Sequence, residues 1–135
     1  MPDTDLDRDL VQAALRVRGH AFAPFSRYAV GAAIYAGAGH PLFVGCNVEN
    51  ASYGLTVCAE RNAVGAMVAA GVTSFEKIAV ATVDGASPCG ACRQVLVQFG
   101  EDAIVLLVSA DEGTILDRYR VSDLLPEAFR FHGTP

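Results

Sequence analysis

The sequence predicts an α/β fold, a three-layer α/β/α sandwich around a mixed five-stranded sheet, carried by one domain spanning residues 1–135. Three observations lead there. A chain of 135 residues has room for one hydrophobic core. Residues 77–83 (KIAVATV) and 103–108 (AIVLLV) are nearly continuous apolar runs, as in strands covered on both faces. Between them Cys92, Val95, Leu96 and Phe99 recur at helical spacing, so a parallel crossover is expected. Residues 28–36 (YAVGAAIYA) and 42–46 (LFVGC) are strand-like, and the glycine-rich stretch 37–41 between them suits an antiparallel hairpin.

Each element has its own signal. Leu6, Leu10, Ala13, Ala14 and Val17 mark a first helix over residues 5–18, behind an acidic first turn that suits the helix dipole, and Gly19 stops it. After the hairpin, residues 57–70 predict a second helix with a stripe of Val64, Met67, Val68 and Gly71, the last placed as a C-terminal cap. Strand, helix and strand follow over residues 77–108. Residues 114–120 predict a last strand, and residues 122–129 a short helical turn capped by Ser122. No repeat, low-complexity segment or linker interrupts the series.

Composition narrows the function. With 52% hydrophobic and 19% charged residues the chain is not of the disordered class, and the apolar surplus is enough to cover an oligomer interface as well as a core. A formal charge of −5 is a poor match to the phosphate-neutralising surface of a nucleic-acid binder. No run approaches the roughly 20 apolar residues of a membrane span, and the N-terminus is acidic, so a cytoplasmic protein is expected. Its four cysteines, Cys46, Cys58, Cys89 and Cys92, are then read as metal or redox chemistry rather than disulfides.

The strongest chemical signal is Cys58-Ala59-Glu60 followed by Pro88-Cys89-Gly90-Ala91-Cys92. Thr56 and Ser87-Pro88 are expected as cap and first-turn residues, which puts three thiols at helix N-termini, where partial positive charge favours thiolates. Three thiolates leave the fourth tetrahedral position of a zinc ion to water, the pattern of a catalytic site. A structural zinc knuckle or a redox dithiol would account for Cys89 and Cys92 alone, but neither requires the acid or the third thiol. Cys46 is expected as a buried, inert small hydrophobe rather than a fourth ligand.

These segments, together with Pro24 to Ala33 (PFSRYAVGAA), Gly45 to Tyr53 (GCNVENASY), Cys58 to Arg61, Ser87 to Gln94 (SPCGACRQ) and Leu124 to Phe129 (LLPEAF), resemble the homotetrameric zinc-dependent cytidine deaminases in family order over nearly the whole chain. The resemblance implies hydrolytic deamination of cytidine and 2'-deoxycytidine to uridine and 2'-deoxyuridine with release of ammonia. It implies Cys58, Cys89 and Cys92 as ligands of one Zn²⁺ per subunit, a zinc-activated water attacking C4 of the cytosine ring, and Glu60 as the proton shuttle. Asn47 and Glu49 alternate at a strand end and so point the same way; in the family such a pair binds ribose hydroxyls. Tyr28 stands where the family commonly has a phenylalanine against the pyrimidine face. The N–H of Ala59 is implied as donor to the pyrimidine O2, and Phe129 as an aromatic reaching a neighbouring subunit's site.

Charge counting adds Arg61. Three thiolates on Zn²⁺ leave a formal −1, and a guanidinium bonded to a thiolate sulfur would restore neutrality. His20, His40 and His132 receive no role. Rival readings are a structural zinc module, a polynucleotide deaminase, which should show a basic groove with stacking aromatics, and a deaminase of a cytosine nucleoside antibiotic of the blasticidin S type. Small nucleosides are the expected partners, with no nucleic acid and no membrane.

Overall fold

The computed structural model describes residues 3–131, so His132 lies outside it. In chain order the elements are α1 (Asp5–Arg18), β1 (Gly31–Tyr35), β2 (Phe43–Cys46), a 3-10 turn (Tyr53–Leu55), α2 (Ala59–Ala69), β3 (Lys77–Thr82), α3 (Gly90–Gly100), β4 (Ile104–Ser109), β5 (Thr114–Arg120) and α4 (Val121–Leu124). The five strands form one sheet in the order β2-β1-β3-β4-β5. Only β3 and β4 are parallel, joined by the α3 crossover, and the other three pairings are antiparallel. This is the mixed α/β sheet expected from the sequence. Among the described residues no helix is long and apolar enough to cross a membrane.

Alternation along the strands splits the core into two layers. Ala32, Ile34, Ile78, Val80, Val105 and Leu107 face α2 and α3, where they meet Ala63, Val64, Met67 and Leu96. Ala33, Ala79, Ala81, Leu106 and Val108 face the other way, onto Leu10, Val11, Ala13 and Ala14 of α1. The approach of α1 is so close that a Cβ on Gly31 would stand 2.7 Å from the backbone nitrogen of Arg18.

α1 starts with a capping box, Thr4 and Asp7 exchanging side-chain and backbone hydrogen bonds. Asp7 is buried and also bonds Lys77 at 2.8 Å and Arg118 at 2.9 Å, tying α1 to β3 and β5. Burial, the largest influence, raises its pKa, but the two cations and the Thr4 N–H outweigh it and bring the pKa to about 2.

Several boundaries differ from the sequence expectation. The first strand begins at Gly31 rather than 28, because the Asn47 side chain takes the Tyr28 carbonyl and the Val30 N–H in place of a ladder partner. α2 begins at Ala59 rather than 57, because Val57 is held in a two-bond bridge with Val48. Within it Val64 and Met67 are buried as expected, whereas Val68 is exposed. Gly71, at φ +83°, follows the cap Ala70 in a Schellman turn, Gly71 N–H bonding Val68 O and Val72 N–H bonding Met67 O. The final helical turn stops at Leu124, since Pro126 disfavours helix at Leu125, and its N-cap is Arg120 rather than Ser122. The hairpin connection over residues 37–41 carries Gly37 and Gly39 at φ +120° and +89°.

Candidate active site

The register row Cys46–Gly31–Ala81 marks one end of the sheet. β2 and β3 both run out there, and α2 and α3, which follow them in the chain, both begin there. Two helix N-termini therefore converge on one spot. Gly45 permits this on the β2 side: a Cβ at that position would stand 2.6 Å from Ala59 O and 2.8 Å from the Asn62 carbonyl carbon, so the first turns of α2 lie directly on the strand.

Cys58 and Cys89 are themselves the N-caps of α2 and α3, in extended backbone conformation, which corrects the expectation that Thr56 and Ser87 cap them. The Thr56 hydroxyl instead accepts the Asn50 N–H. Neither cysteine makes a side-chain capping bond, so both sulfurs are free to turn toward Cys92 in the first turn of α3. The three Sγ atoms lie within 4.8 Å of one another, with Cys58 and Cys89 at 4.0 Å. Tetrahedral zinc with bonds of about 2.3 Å would place its sulfurs roughly 3.8 Å apart, so the spacing fits this ion. Cys46 is not part of the cluster and is half-buried rather than buried, because it closes the edge strand.

The thiols are electrostatically unequal. A hydrogen bond with Cys92 pulls the Cys58 pKa down to about 5, helped against the cost of burial by Arg61, whose Nη2 lies 3.4 Å from the Cys58 sulfur. The same hydrogen bond and burial push Cys92 up. Arg61 lies behind the thiols rather than in the cavity wall, and its Nε is buried without an acceptor among the described residues. Glu60, at the second position of α2, is only 5% exposed, and burial first, then the neighbouring Cys58 charge, raise its pKa.

Beside the thiols opens a cavity of about 300 Å³, lined by Tyr28, Asn47, Glu49, Cys58, Ala59 and Glu60, together with Thr82, Ala86, Ser87 and Cys89. Its size is at the lower end of small-molecule pockets. The N–H of Ala59 is the first of α2 and has no acceptor inside the helix. Asn47 uses one lone pair and one N–H on the backbone of residues 28–30, at 2.9 and 2.8 Å, and keeps one of each. Glu49 accepts the N–H groups of Phe25 and Ser26 at 2.9 and 3.1 Å and the Ser26 hydroxyl. The Ser26 hydroxyl bond is the main reason its pKa is lowered. It thereby holds a turn in which Arg27 is left-handed, at φ +58°.

The fold thus brings together every residue singled out from the sequence except two, Arg61 behind the thiols and Phe129. The latter is 74% exposed and does not line this cavity, its carbonyl held by the Gln94 side chain at 2.9 Å. Sequence reasoning missed Ser26, inside a quoted segment, and Asp84, whose Asp-Gly pair reads only as a turn. The Tyr28 hydroxyl donates to Asp84 Oδ1 at 2.8 Å.

Comparison with known proteins bears on this geometry. The family described as cytidine and deoxycytidylate deaminase zinc-binding region matches residues 4–108. A cytidine deaminase of Sporosarcina psychrophila is 41% identical over 122 residues, covering 89% of this chain and 88% of that protein. One of Mycobacterium tuberculosis is 40% identical, covering 100% and 97%. The crystal structure of cytidine deaminase from Burkholderia pseudomallei superposes with a TM-score of 0.85 at 42% identity, covering 94% of this chain and all of that one.

Proposed function

Because the chain belongs to the cytidine and deoxycytidylate deaminase family, we propose that it hydrolyses cytidine and 2'-deoxycytidine to uridine and 2'-deoxyuridine, releasing ammonia. The observation that carries this reading is a buried carboxyl, Glu60, sharing one nucleoside-sized cavity with a three-thiol cluster. Cys58, Cys89 and Cys92 would hold one zinc ion, which when bound supplies Lewis acidity that makes a water nucleophilic near neutral pH.

The chain's own residues do the rest. The pyrimidine ring lies against Tyr28, and the Ala59 N–H donates to O2. Asn47 and Glu49 offer an N–H, a lone pair and a carboxylate to the sugar hydroxyls. That carboxylate would repel a phosphate at the same place, which favours a free nucleoside over a nucleotide or polynucleotide. Glu60 accepts a proton from the attacking water and delivers it to N3; it then takes the second proton, from the oxygen now bonded to C4, and passes it to the exocyclic amine, which leaves as ammonia. Its raised pKa suits a group that must both take and give a proton.

A homotetramer with Phe129 completing a neighbour's site belongs to the same reading. It is supported by apolar side chains standing in solvent, Phe22, Phe25, Tyr53, Leu55 and Phe129 among them. A cytoplasmic location fits as well. The test is cytidine absorbance followed with wild-type protein and with Glu60→Gln. Turnover should fall by at least roughly 10²- to 10⁴-fold with zinc content unchanged. A zinc protein that leaves cytidine intact would overturn the proposal, and faster turnover of blasticidin S than of cytidine would redirect it to the antibiotic.

A further inference from the structure

Tyr28 is fixed at three points. Its N–H donates to the Ser26 hydroxyl at 3.0 Å, its carbonyl accepts from Asn47 Nδ2 at 2.8 Å, and its own hydroxyl donates to Asp84 Oδ1 at 2.8 Å. The first two anchors hold the backbone and would serve any residue. The third needs a phenol, and it crosses from the segment before β1 to the loop after β3. Asp84 is itself seated: Thr82 Oγ1 lies 3.3 Å from the same carboxylate oxygen, and that hydroxyl accepts the Ala86 N–H at 2.8 Å. Ala86 and Ser87 also line the cavity and lead directly to Cys89.

We propose that Asp84 is a positioning residue: through the Tyr28 hydroxyl it locks the aromatic wall of the cavity to the loop that carries Cys89, and so sets the affinity for the pyrimidine ring. The inference rests on the deaminase reading of the cavity. A ring free to rotate about its side-chain bonds must be ordered each time substrate enters, whereas a ring already tied to Asp84 is in place beforehand. Asp84 does not line the cavity, so its influence is indirect and should fall on KM more than on kcat.

The test is a double-mutant cycle on the intact protein with Tyr28→Phe, Asp84→Ala and their combination, with Asp84→Asn as the conservative variant. Each single variant should raise KM for cytidine by roughly three- to tenfold, the net worth of one ordinary hydrogen bond, since this bond is exposed to solvent. The double variant should be no worse than the weaker single, and Asp84→Asn, which keeps an acceptor oxygen, should recover part of the loss. A second readout needs no substrate. The chain has four tyrosines and no tryptophan, and a carboxylate accepting a phenol proton quenches tyrosine emission. Asp84→Ala should therefore brighten the fluorescence, and should not do so in the Tyr28→Phe background.

Effects on KM that multiply in the double variant would overturn the proposal. So would equal losses of kcat and thermal stability that Asp84→Asn does not relieve, or emission unchanged by Asp84→Ala. Failure of the wild type to deaminate cytidine would sink the functional reading instead, and the fluorescence arm would still decide whether the latch exists.

Discussion

Gly45→Ala tests the link between packing and chemistry most directly. The new methyl would stand 2.6 Å from Ala59 O and 2.8 Å from the Asn62 carbonyl carbon, with the Ala63 nitrogen nearer still. All three are helix backbone, which cannot rotate aside as a side chain can. Restoring an ordinary separation of about 3.4 Å would move the start of α2 outward by roughly 1 Å, and that turn carries both Cys58 and Glu60. Overpacking of this kind costs about 1–3 kcal/mol, or very roughly 4 °C of Tm per kcal/mol for a chain of this size. A displacement of 1 Å at a reacting centre costs on the order of 10²-fold in rate. Thermal unfolding, zinc content and cytidine turnover would be measured beside Gly65→Ala, a position in the same helix where a Cβ meets nothing within 4 Å. The control should be neutral or up to about 1 kcal/mol more stable. Wild-type turnover and Tm in Gly45→Ala would refute the reasoning.

Three further outcomes are expected. The Asp7 pKa is about 2 when folded against 3.8 as the ordinary value. A depressed folded pKa stabilises the protein above the unfolded pKa, here by about 2.5 kcal/mol, and the gain is lost as pH falls through the folded value. Urea titrations of Asp7→Asn and wild type should therefore differ most at pH 5 and above and converge toward pH 2; a gap independent of pH would contradict the assignment. Arg61→Gln and Cys58→His should each lower turnover by disturbing the charge around zinc in opposite senses. The double variant, which restores the sum, should recover relative to at least one single, whereas losses that simply add in the logarithm of rate would make Arg61 a packing residue. Phe129→Ala should weaken turnover only through the assembly, so unchanged kinetics, or a fully active monomer by light scattering, would remove its part in a neighbour's site.

The sheet was legible because its signals are periodic and local: the apolar runs of β3 and β4 reflect burial on both faces, and the spacing around Cys92 allows only a helix between them. The thiol cluster was legible through its residue types and order. Boundaries were less so where side chains replace backbone partners. Asn47 shortens β1 from 17 to 19 positions away and Val48 delays α2 from nine, and in both cases the partner is set by how the chain folds back rather than by the segment's own pattern. The capping role of the cysteines was hidden because a thiol at an N-cap usually signals nothing, and only the extended backbone with a free sulfur reveals it. Asp84 was invisible for a similar reason, since its partner lies 56 positions away.

The hairpin over residues 37–41 has a practical consequence for protein engineering. It lies beyond the Tyr35–Lys77 end of the sheet, opposite the row Cys46–Gly31–Ala81 where the cavity opens. Gly39 at its tip would meet nothing within 4 Å if given a side chain, and His40 beside it is exposed. A fluorescent reporter or affinity module spliced in at this tip would hang from an exposed point the length of β1 away from the substrate. Such a chimera is a natural starting point for reading out nucleoside turnover in place, with the reporter and the chemistry at opposite ends of one sheet.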